Sequence, residues 1–237
     1  MNLRPVPRGS VSDHVFGQLR DAIVSGSYAP GDPLPSEREL GAVLTVNRHA
    51  VREALRRLQQ LGLVRVSQGG ATRVLDWRVH AGLDLAMSLT QVDEVLPIDT
   101  LVRDVLEMRA CIGTDAARLC ALRADPATRA AVTDAVTGYA DAAPDLDQMD
   151  QANIALWRQI VQGSGNTAYL LAFNSLVGGA LAVGRVPPQR RTAELLDTAG
   201  HRRLAALIAD GDGDGAAGQA HTLLTAPVTA PTERTRT

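Results

Sequence analysis

The feature that most constrains the fold is the segment from Thr45 to Leu58, "TVNRHAVREALRRL". Its apolar residues recur at helical spacing and form one stripe, which is typical of an amphipathic helix. Three arginines at intervals of four residues form a second stripe, Arg48, Arg52 and Arg56. Like charges at this spacing repel one another on an isolated helix. The pattern therefore predicts a helix whose inner face is buried and whose outer face meets an anion.

The residues before this helix predict two further helices separated by a turn. The apolar spacing of residues 10–25 is helical, and "YAPGDPLP" after it is too rich in proline and glycine to continue a helix. Ser36, with Glu39 three residues later, forms a capping box that predicts the start of the second helix. Asn47 is a favourable N-cap for the third helix, which we expect to end near Gln60.

After the third helix the apolar spacing changes from helical to alternating. Residues 63–65 and 72–74 flank a loop with Gly69 and Gly70 at its tip, which predicts a two-stranded hairpin. Three helices followed by a hairpin form a winged helix-turn-helix. In that motif the third helix enters the DNA major groove, where arginines meet phosphates and guanine edges. An anionic duplex would relieve the repulsion along the arginine row.

The predicted DNA contacts come mainly from the N-terminal end of the third helix, because recognition helices read bases there. Arg48 and Arg52 can each bind guanine bidentately, whereas Asn47 either contacts DNA or only caps the helix. Arg56 and Arg57 either approach DNA or form a solvated face, and the sequence leaves both alternatives open. The predicted DNA-binding residues are Arg38, Asn47, Arg48, His49, Arg52, Gln68, Gly69 and Gly70.

Charge divides the chain into two parts. Residues 1–78 contain 11 arginines and 7 acidic residues, a net charge of +4, while residues 79–237 contain 13 arginines and 19 acidic residues, a net charge of −6. A basic module joined to an acidic remainder indicates separate tasks. The predicted organisation is a flexible tail at 1–9, a winged helix-turn-helix DNA-binding domain at 10–77, a linker helix at 78–96, a helical domain at 97–226 and a flexible tail at 227–237.

The acidic part is helical in pattern, with prolines between segments, and predicts about six helices packed as an antiparallel bundle. The fold class is therefore mostly all-α, a winged helix-turn-helix with a small β-hairpin followed by a helical bundle. No long apolar run or secretory h-region is present, so we expect a cytoplasmic protein without a membrane partner. Cys111 and Cys120 lie nine residues apart on opposite helix faces, cannot bridge, and are expected to be buried and reduced.

The stretch "PGDPLPSERELGAVLTVNRHAVREALRRLQQLGLVRV" resembles the DNA-binding domain of the GntR family of bacterial transcription regulators. The resemblance covers the whole helix-turn-helix. It implies that Arg38, Arg48, Arg52 and the wing residues 68–70 contact the operator. His49 departs from the family, where a threonine is common, which leaves the base preference at that position open.

The segments "LEMRACIGTDAARL", "SGNTAYL" and "HRRLAALIADGD" resemble the helical ligand-binding domain of the FadR subfamily. Many members hold a metal with one aspartate and three histidines. Those positions fall here on Asn153, Trp157, His201 and near Leu223, with His221 two residues away. One matching ligand of four cannot hold a transition metal well. We therefore expect no tightly bound metal and no cofactor.

The resemblance also implies an effector pocket in this domain, and Trp157 would make that pocket narrower and more apolar. The subfamily's glutamate after the arginine helix is replaced by Gly113. Arg109 could bind an effector carboxylate or phosphate; alternatively it is an intrahelical ion-pair partner or a surface residue. Trp157 could be simple core, and His201 a satisfied interhelical histidine. The predicted effector-binding residues are Arg109, Asn153, Trp157, Arg158 and His201.

The sequence predicts a homodimeric repressor that binds a short pseudo-palindrome of double-stranded DNA and responds to an apolar or acyl-type effector, such as a fatty acid or acyl-CoA. The stretch "QGGATRVLDWRVHAGLDL" after the wing most resembles mycobacterial repressors of lipid-transport operons. Two alternatives are a DNA-binding protein without an effector and a sensor of a small carboxylate. An enzyme is not expected, since the sequence offers neither a nucleophile–base pair nor an intact metal cage.

Overall fold

The computed structural model describes residues 11–67, 70–89, 97–178 and 188–229. The chain divides into two compact units, Met1–Ile98 and Asp99–Thr237. The structure is mostly helical with one small sheet, as the sequence predicts. No helix in the described ranges is long and apolar enough to span a membrane.

The N-terminal unit contains a three-helix core and a hairpin. The elements are α1 (Val11–Val24), α2 (Glu37–Val43), α3 (Arg48–Gln60), β1 (Val64–Arg65), β2 (Arg73–Val74), α4 (Trp77–His80) and α5 (Leu83–Ser88). The apolar face of α3 packs against α1. Val51, Ala54 and Leu58 on that face are fully buried, which confirms the predicted amphipathic helix.

Local side-chain hydrogen bonds set the helix starts that the sequence predicts. The Ser36 backbone N–H donates to Glu39 Oε2 at 2.8 Å, and the Glu39 N–H donates to Ser36 Oγ at 3.3 Å, so the capping box is present. Asn47 Oδ1 accepts from the Ala50 N–H at 2.9 Å and caps α3. The capping box thus fixes the start of α2, and the Asn47 cap fixes the start of α3 after the turn between the two helices.

The predicted hairpin is present, and the proline- and glycine-rich turn supports it. Val64 pairs with Val74 in the antiparallel ladder. The turn lies beside β2, because the Leu34 N–H donates to the Thr72 carbonyl at 2.8 Å and the Val74 N–H donates to the Asp32 carbonyl at 2.9 Å. The wing is therefore anchored on the segment that precedes α2.

Where the sequence predicts one linker helix at 78–96, the described part contains two short helices, α4 and α5. They are separated by Ala81 and Gly82, both in extended conformation. Glycine in a helix interior costs about 1 kcal/mol relative to alanine, which favours the break. Residues 90–96 and the predicted tail at 1–9 lie outside the described residues, and the predicted domain boundaries stay predictions.

The C-terminal unit is a helical bundle. Its elements are α6 (Ile98–Arg123), α7 (Pro126–Asp141), α8 (Leu146–Gly163), α9 (Thr167–Leu176), a 3₁₀ turn (Pro188–Arg191), α10 (Thr192–Leu196), α11 (Thr198–Asp210) and α12 (Gly213–Thr229). Helix α7 packs on α8 and α11, and α11 packs on α12. Leu156, Ile160, Leu204 and Ile208 are fully buried between them. Helix α12 includes the first three residues of the predicted C-terminal tail, 227–229.

The two cysteines differ in environment, and the expectation that both are buried is wrong for Cys111. Cys120 is buried, whereas Cys111 is exposed. Their spacing along α6 places them on opposite faces, so only one can face the core. A Cβ atom added to Gly163 would lie 2.6 Å from Cys120 Sγ, so the glycine makes room for the thiol. Burial raises the pKa of Cys120 to about 11.

We predict that a thiol reagent at pH 8 modifies one cysteine in the native chain and the second only after unfolding. Cys111 is exposed, whereas Cys120 is both inaccessible and protonated at this pH because of its raised pKa. The measurement is the number of thiols titrated before and after denaturation. Cys111→Ser is the matched control and should leave the native chain unreactive. Rapid modification of two thiols in the native chain would contradict the assignment.

Candidate functional site

The outer face of α3 presents a row of exposed basic side chains. Arg48, His49, Arg52 and Arg56 are exposed, whereas the opposite face of the helix is buried. Arg38, in α2, and the cap residue Asn47 are also exposed. The structure therefore leaves the predicted contact residues of α2 and α3 accessible. Of the predicted wing residues, Gly70 is exposed, and Gln68 and Gly69 lie outside the described residues.

Glu37 in the first turn of α2 holds Arg52. Its Oε1 accepts from Arg52 Nε at 3.2 Å, and its Oε2 accepts from a terminal guanidinium nitrogen at 2.9 Å. Hydrogen bonds from Arg52 lower the pKa of Glu37, and the charges of Arg48 and Arg56 lower it further. Glu37 thus offsets part of the positive charge of the arginine row. It lies on α2, so the charges within α3 alone do not reveal it.

Arg57 does not belong to this exposed row. It pairs with Asp13 of α1, and its guanidinium lies 4.0 Å from the centroid of the Phe16 ring. The side chain therefore ties α3 to α1. Arg56 stays exposed and lies 3.9 Å from Glu53 on its own helix. The two arginines whose roles the sequence left open thus have different environments.

In the C-terminal unit, three of the five predicted effector residues meet in one buried polar cluster. Arg109 of α6 donates to Asn153 Oδ1 of α8 at 3.2 Å. Asn153 Nδ2 lies 3.1 Å from His201 Nε2 of α11. His201 Nδ1 lies 2.8 Å from the Asp197 carbonyl and must donate to it, so Nε2 accepts from Asn153. Burial lowers the pKa of His201, and the ring is neutral.

The same cluster contains charged residues that sequence analysis missed. Glu194 of α10 accepts two hydrogen bonds from Arg109, at 2.8 Å and 2.6 Å. Arg191 is completely buried, pairs with Asp150 of α8, and lies 4.0 Å from Glu194. The i,i+3 spacing of Arg191 and Glu194 was the only sequence signal for these partners, since Arg109 precedes Glu194 by 85 residues.

Electrostatics keep this cluster ionised. Burial opposes ionisation of Glu194, but the charge and hydrogen bonds of Arg109, together with the charge of Arg191, outweigh it and lower the pKa. Burial also lowers the pKa of Arg191 to about 10, which still leaves the guanidinium charged at neutral pH. Tyr139 donates to the Leu195 carbonyl, and its ring centroid lies 4.5 Å from that of His201. The cluster is thus held by five helices, α6, α7, α8, α10 and α11, and the 3₁₀ turn.

Trp157 lies next to this cluster on its apolar side. The Arg109 guanidinium is 5.8 Å from the Trp157 ring centroid. Both residues line a cavity of about 20 Å³, whose other walls are Ile112, Gly113, Val161, Phe173, Leu176 and Leu224. That volume suits a single water molecule and not an effector. A Cβ atom on Gly113 would lie 2.4 Å from Leu224 and 3.3 Å from Trp157, so the glycine makes room chiefly for the Leu224 side chain.

Arg158 and His221 lie apart from the cluster. Arg158 donates to Asn174 Oδ1 at 3.0 Å, and its guanidinium is 5.3 Å from the Phe173 ring centroid. His221 is exposed, whereas His201 is fully buried. Within the described ranges, no three histidine, cysteine or acidic side chains are grouped as a metal site.

The sequence matches the profile of bacterial regulatory proteins of the gntR family over residues 11–74 and that of the FCD domain over residues 104–226. The HTH-type transcriptional regulator Mce2R of Mycobacterium tuberculosis is 36% identical over 224 residues, which cover 94% of this chain and 92% of the relative. The chain belongs to the GntR family. It is therefore a DNA-binding transcriptional regulator with an FCD effector-binding domain, and the relatives are regulators and not enzymes.

One further relative supports this membership, and two solved structures share the fold. The fatty acid metabolism regulator protein of Klebsiella pneumoniae is 30% identical over 182 residues, covering 76% of this chain and 71% of the relative. Among solved structures, the Listeria monocytogenes protein Lar superposes with a TM-score of 0.54 at 14% identity, covering 96% of this chain and 97% of the other. Streptococcus agalactiae GntR superposes with a TM-score of 0.50 at 21% identity, covering 92% and 100%. These structures support the fold of a GntR regulator.

We predict that Arg109→Met lowers the free energy of unfolding of the C-terminal unit by about 3–5 kcal/mol, because it leaves the buried Glu194 carboxylate without its main partner. The measurement is urea denaturation followed by circular dichroism. Arg158→Met is the matched control in the same unit and should cost less than about 1 kcal/mol, since this half-buried arginine donates to the neutral amide of Asn174. Equal small losses in both variants would refute the central role of the Arg109–Glu194 pair.

Proposed function

We propose that this GntR-family regulator is a homodimeric repressor whose binding to a short pseudo-palindromic operator is modulated by an apolar or acyl-type effector. The observation that carries the DNA-binding half of the proposal is the exposed basic row on α3 above a fully buried inner face. In a winged helix-turn-helix this helix lies in the major groove. The regulator would act in the cytoplasm, where bacterial operators are found.

The proposed operator contacts divide into base reading and backbone positioning. The guanidinium groups of Arg48 and Arg52 would each donate two hydrogen bonds to a guanine, and His49 follows Arg48 in sequence at the N-terminal end of α3. Arg38 and Asn47 would contact phosphate or base edges from the preceding helix and the cap. The wing residues Gln68, Gly69 and Gly70 would approach the sugar-phosphate backbone, since glycine lets a loop come close.

Arg52 would exchange one anion for another when the regulator binds DNA. Its guanidinium is held by Glu37 through two hydrogen bonds and is still 60% exposed. Surface ion pairs of this kind contribute at most about 1 kcal/mol, so DNA can replace Glu37 at low cost. In the absence of DNA, Glu37 would thus hold the Arg52 side chain in place on the exposed face of α3 that is proposed to enter the major groove.

The effector is proposed to enter the apolar side of the polar cluster. Trp157, Phe173 and Leu224 line a small cavity there, and the cavity would have to widen to admit an acyl chain. An apolar lining favours an apolar effector. The relative named fatty acid metabolism regulator protein supports an acyl-type compound. The proposed effector-binding residues are Arg109, Asn153, Trp157, Arg158 and His201.

We predict that Arg48→Ala combined with Arg52→Ala abolishes specific operator binding. Each lost guanine contact should cost about 1–3 kcal/mol per half-site, and lost phosphate neutralisation should reduce the salt dependence. The measurement is fluorescence anisotropy at several salt concentrations with an operator duplex selected from a random library. Arg57→Ala is the matched control, because Arg57 lies against Asp13 and Phe16. Its salt slope should equal that of the native protein. Unchanged affinity and slope in the double variant would exclude α3 as the recognition helix.

We predict that palmitoyl-CoA or decanoate raises the melting temperature, because a ligand that binds only the folded state stabilises it. The measurement is thermal unfolding against these compounds, against succinate and lactate, and against coenzyme A as the control without an acyl chain. Stabilisation by succinate or lactate alone would favour the small-carboxylate alternative. Absence of any shift, with operator binding intact, would favour the effector-independent alternative.

A further inference from the structure

The carboxylate of Glu194 is bound as a ligand carboxylate would be. Arg109 approaches it from α6 with two hydrogen bonds, and Arg191 approaches from the 3₁₀ turn at 4.0 Å. Asn153 Nδ2 donates to the same carboxylate at 3.2 Å. Glu194 is fully buried. Arg109 and Asn153 donate hydrogen bonds to this enclosed carboxylate, and Arg191 adds a second positive charge at 4.0 Å, so the three groups form an anion site.

The charges of this site already balance. Arg109 and Arg191 supply two positive charges, Glu194 and Asp150 supply two negative charges, and His201 is neutral in its hydrogen-bonded tautomer. An acidic group from outside would add a third negative charge in a buried environment, where an uncompensated charge is very unfavourable. Among the described residues, the cluster therefore has no net positive charge that would attract an acidic effector.

We propose that Glu194 is a built-in carboxylate ligand, which occupies the anion site of Arg109 and Arg191 and makes the effector domain selective for ligands whose buried part is uncharged. This inference rests on the proposed effector-responsive function and narrows its ligand class. It assigns to Glu194 the place that a small carboxylate would need. Glu194 thus determines specificity by excluding acids from the cluster.

The Glu194 side chain can be removed by mutation and replaced with a free carboxylate of the same size, which tests the proposal. Glu194→Ala removes the γ-methylene and the carboxylate, which together have the heavy atoms of acetate. The vacated space is enclosed, because Glu194 has no exposed surface. Formate and acetate fit such a space, whereas butyrate and benzoate exceed it.

The experiment measures thermal unfolding of the full-length Glu194→Ala chain at pH 7 in sodium acetate and in sodium chloride of equal ionic strength. We expect a saturable rise of about 3–6 °C in melting temperature when acetate is at roughly ten times its dissociation constant. Formate should act similarly, and butyrate and benzoate should act no better than chloride. The native protein should show no saturable shift, since Glu194 fills the site.

Two control variants separate occupation of the site from general effects of acetate. Glu194→Gln keeps the volume and removes the charge, so acetate should not stabilise it. Glu107→Ala removes an exposed acid from α6 in the same unit and should behave as the native protein does. If Glu194→Ala does not fold in chloride, recovery of helical circular dichroism on refolding in acetate is measured instead.

The proposal is overturned if acetate and chloride act equally on Glu194→Ala, in unfolding or in refolding. A saturable acetate shift of the same size in the native protein or in Glu194→Gln would also overturn it, because the anion would then bind elsewhere. Operator binding of the native protein is measured in the same buffers. If the acetate test fails while operator binding is intact, only the proposal for Glu194 is refuted. The repressor proposal is refuted only if the native protein does not bind an operator.

Discussion

Burial of the inner face of α3 is the constraint on which the DNA-binding unit depends. Val51, Ala54 and Leu58 have no exposed surface, and burial of one large aliphatic side chain contributes about 1.5–3 kcal/mol. Repulsion between like charges at i,i+4 costs only about 0.2–0.5 kcal/mol per pair. Packing against α1 therefore outweighs the repulsion, and the arginines must point outward whether or not DNA is present.

The two units handle charge in opposite ways. On α3 the basic row is exposed, and Glu37 binds Arg52 through a solvent-accessible pair that another anion can replace. In the helical unit each charged group of the buried cluster has a partner of opposite sign that is also buried. If one member of a buried ion pair moves to a new partner, the other member is left as an uncompensated buried charge, which is strongly destabilising. Solvent-accessible charges therefore suit reversible binding of a polyanion. Buried, paired charges suit a rigid interior that excludes further ions.

Local features could be predicted from the sequence, while long-range pairings could not. Ser36 and Asn47 cap helices through partners three residues away, so composition and spacing reveal them. The pairing of Arg109 with Glu194 depends on how α10 packs, and it spans 85 residues. The exposure of Cys111 follows from which face of α6 meets the core, and nothing in its immediate sequence reveals that. Gly82 interrupts the predicted linker helix through its weak helix propensity alone, a local signal that the helical pattern obscured.

Trp157 and Gly113 show why the cavity and the polar cluster must be considered together. A side chain on Gly113 would collide with Leu224 and press against the indole, so the small residue and its two large neighbours are sterically coupled. Arg109 belongs to both sites, because it lines the cavity and binds Glu194. A ligand that widens the cavity by displacing Arg109 would change the hydrogen bonds that hold α10. The Arg109 guanidinium thus connects the wall of the cavity to the helix that carries Glu194.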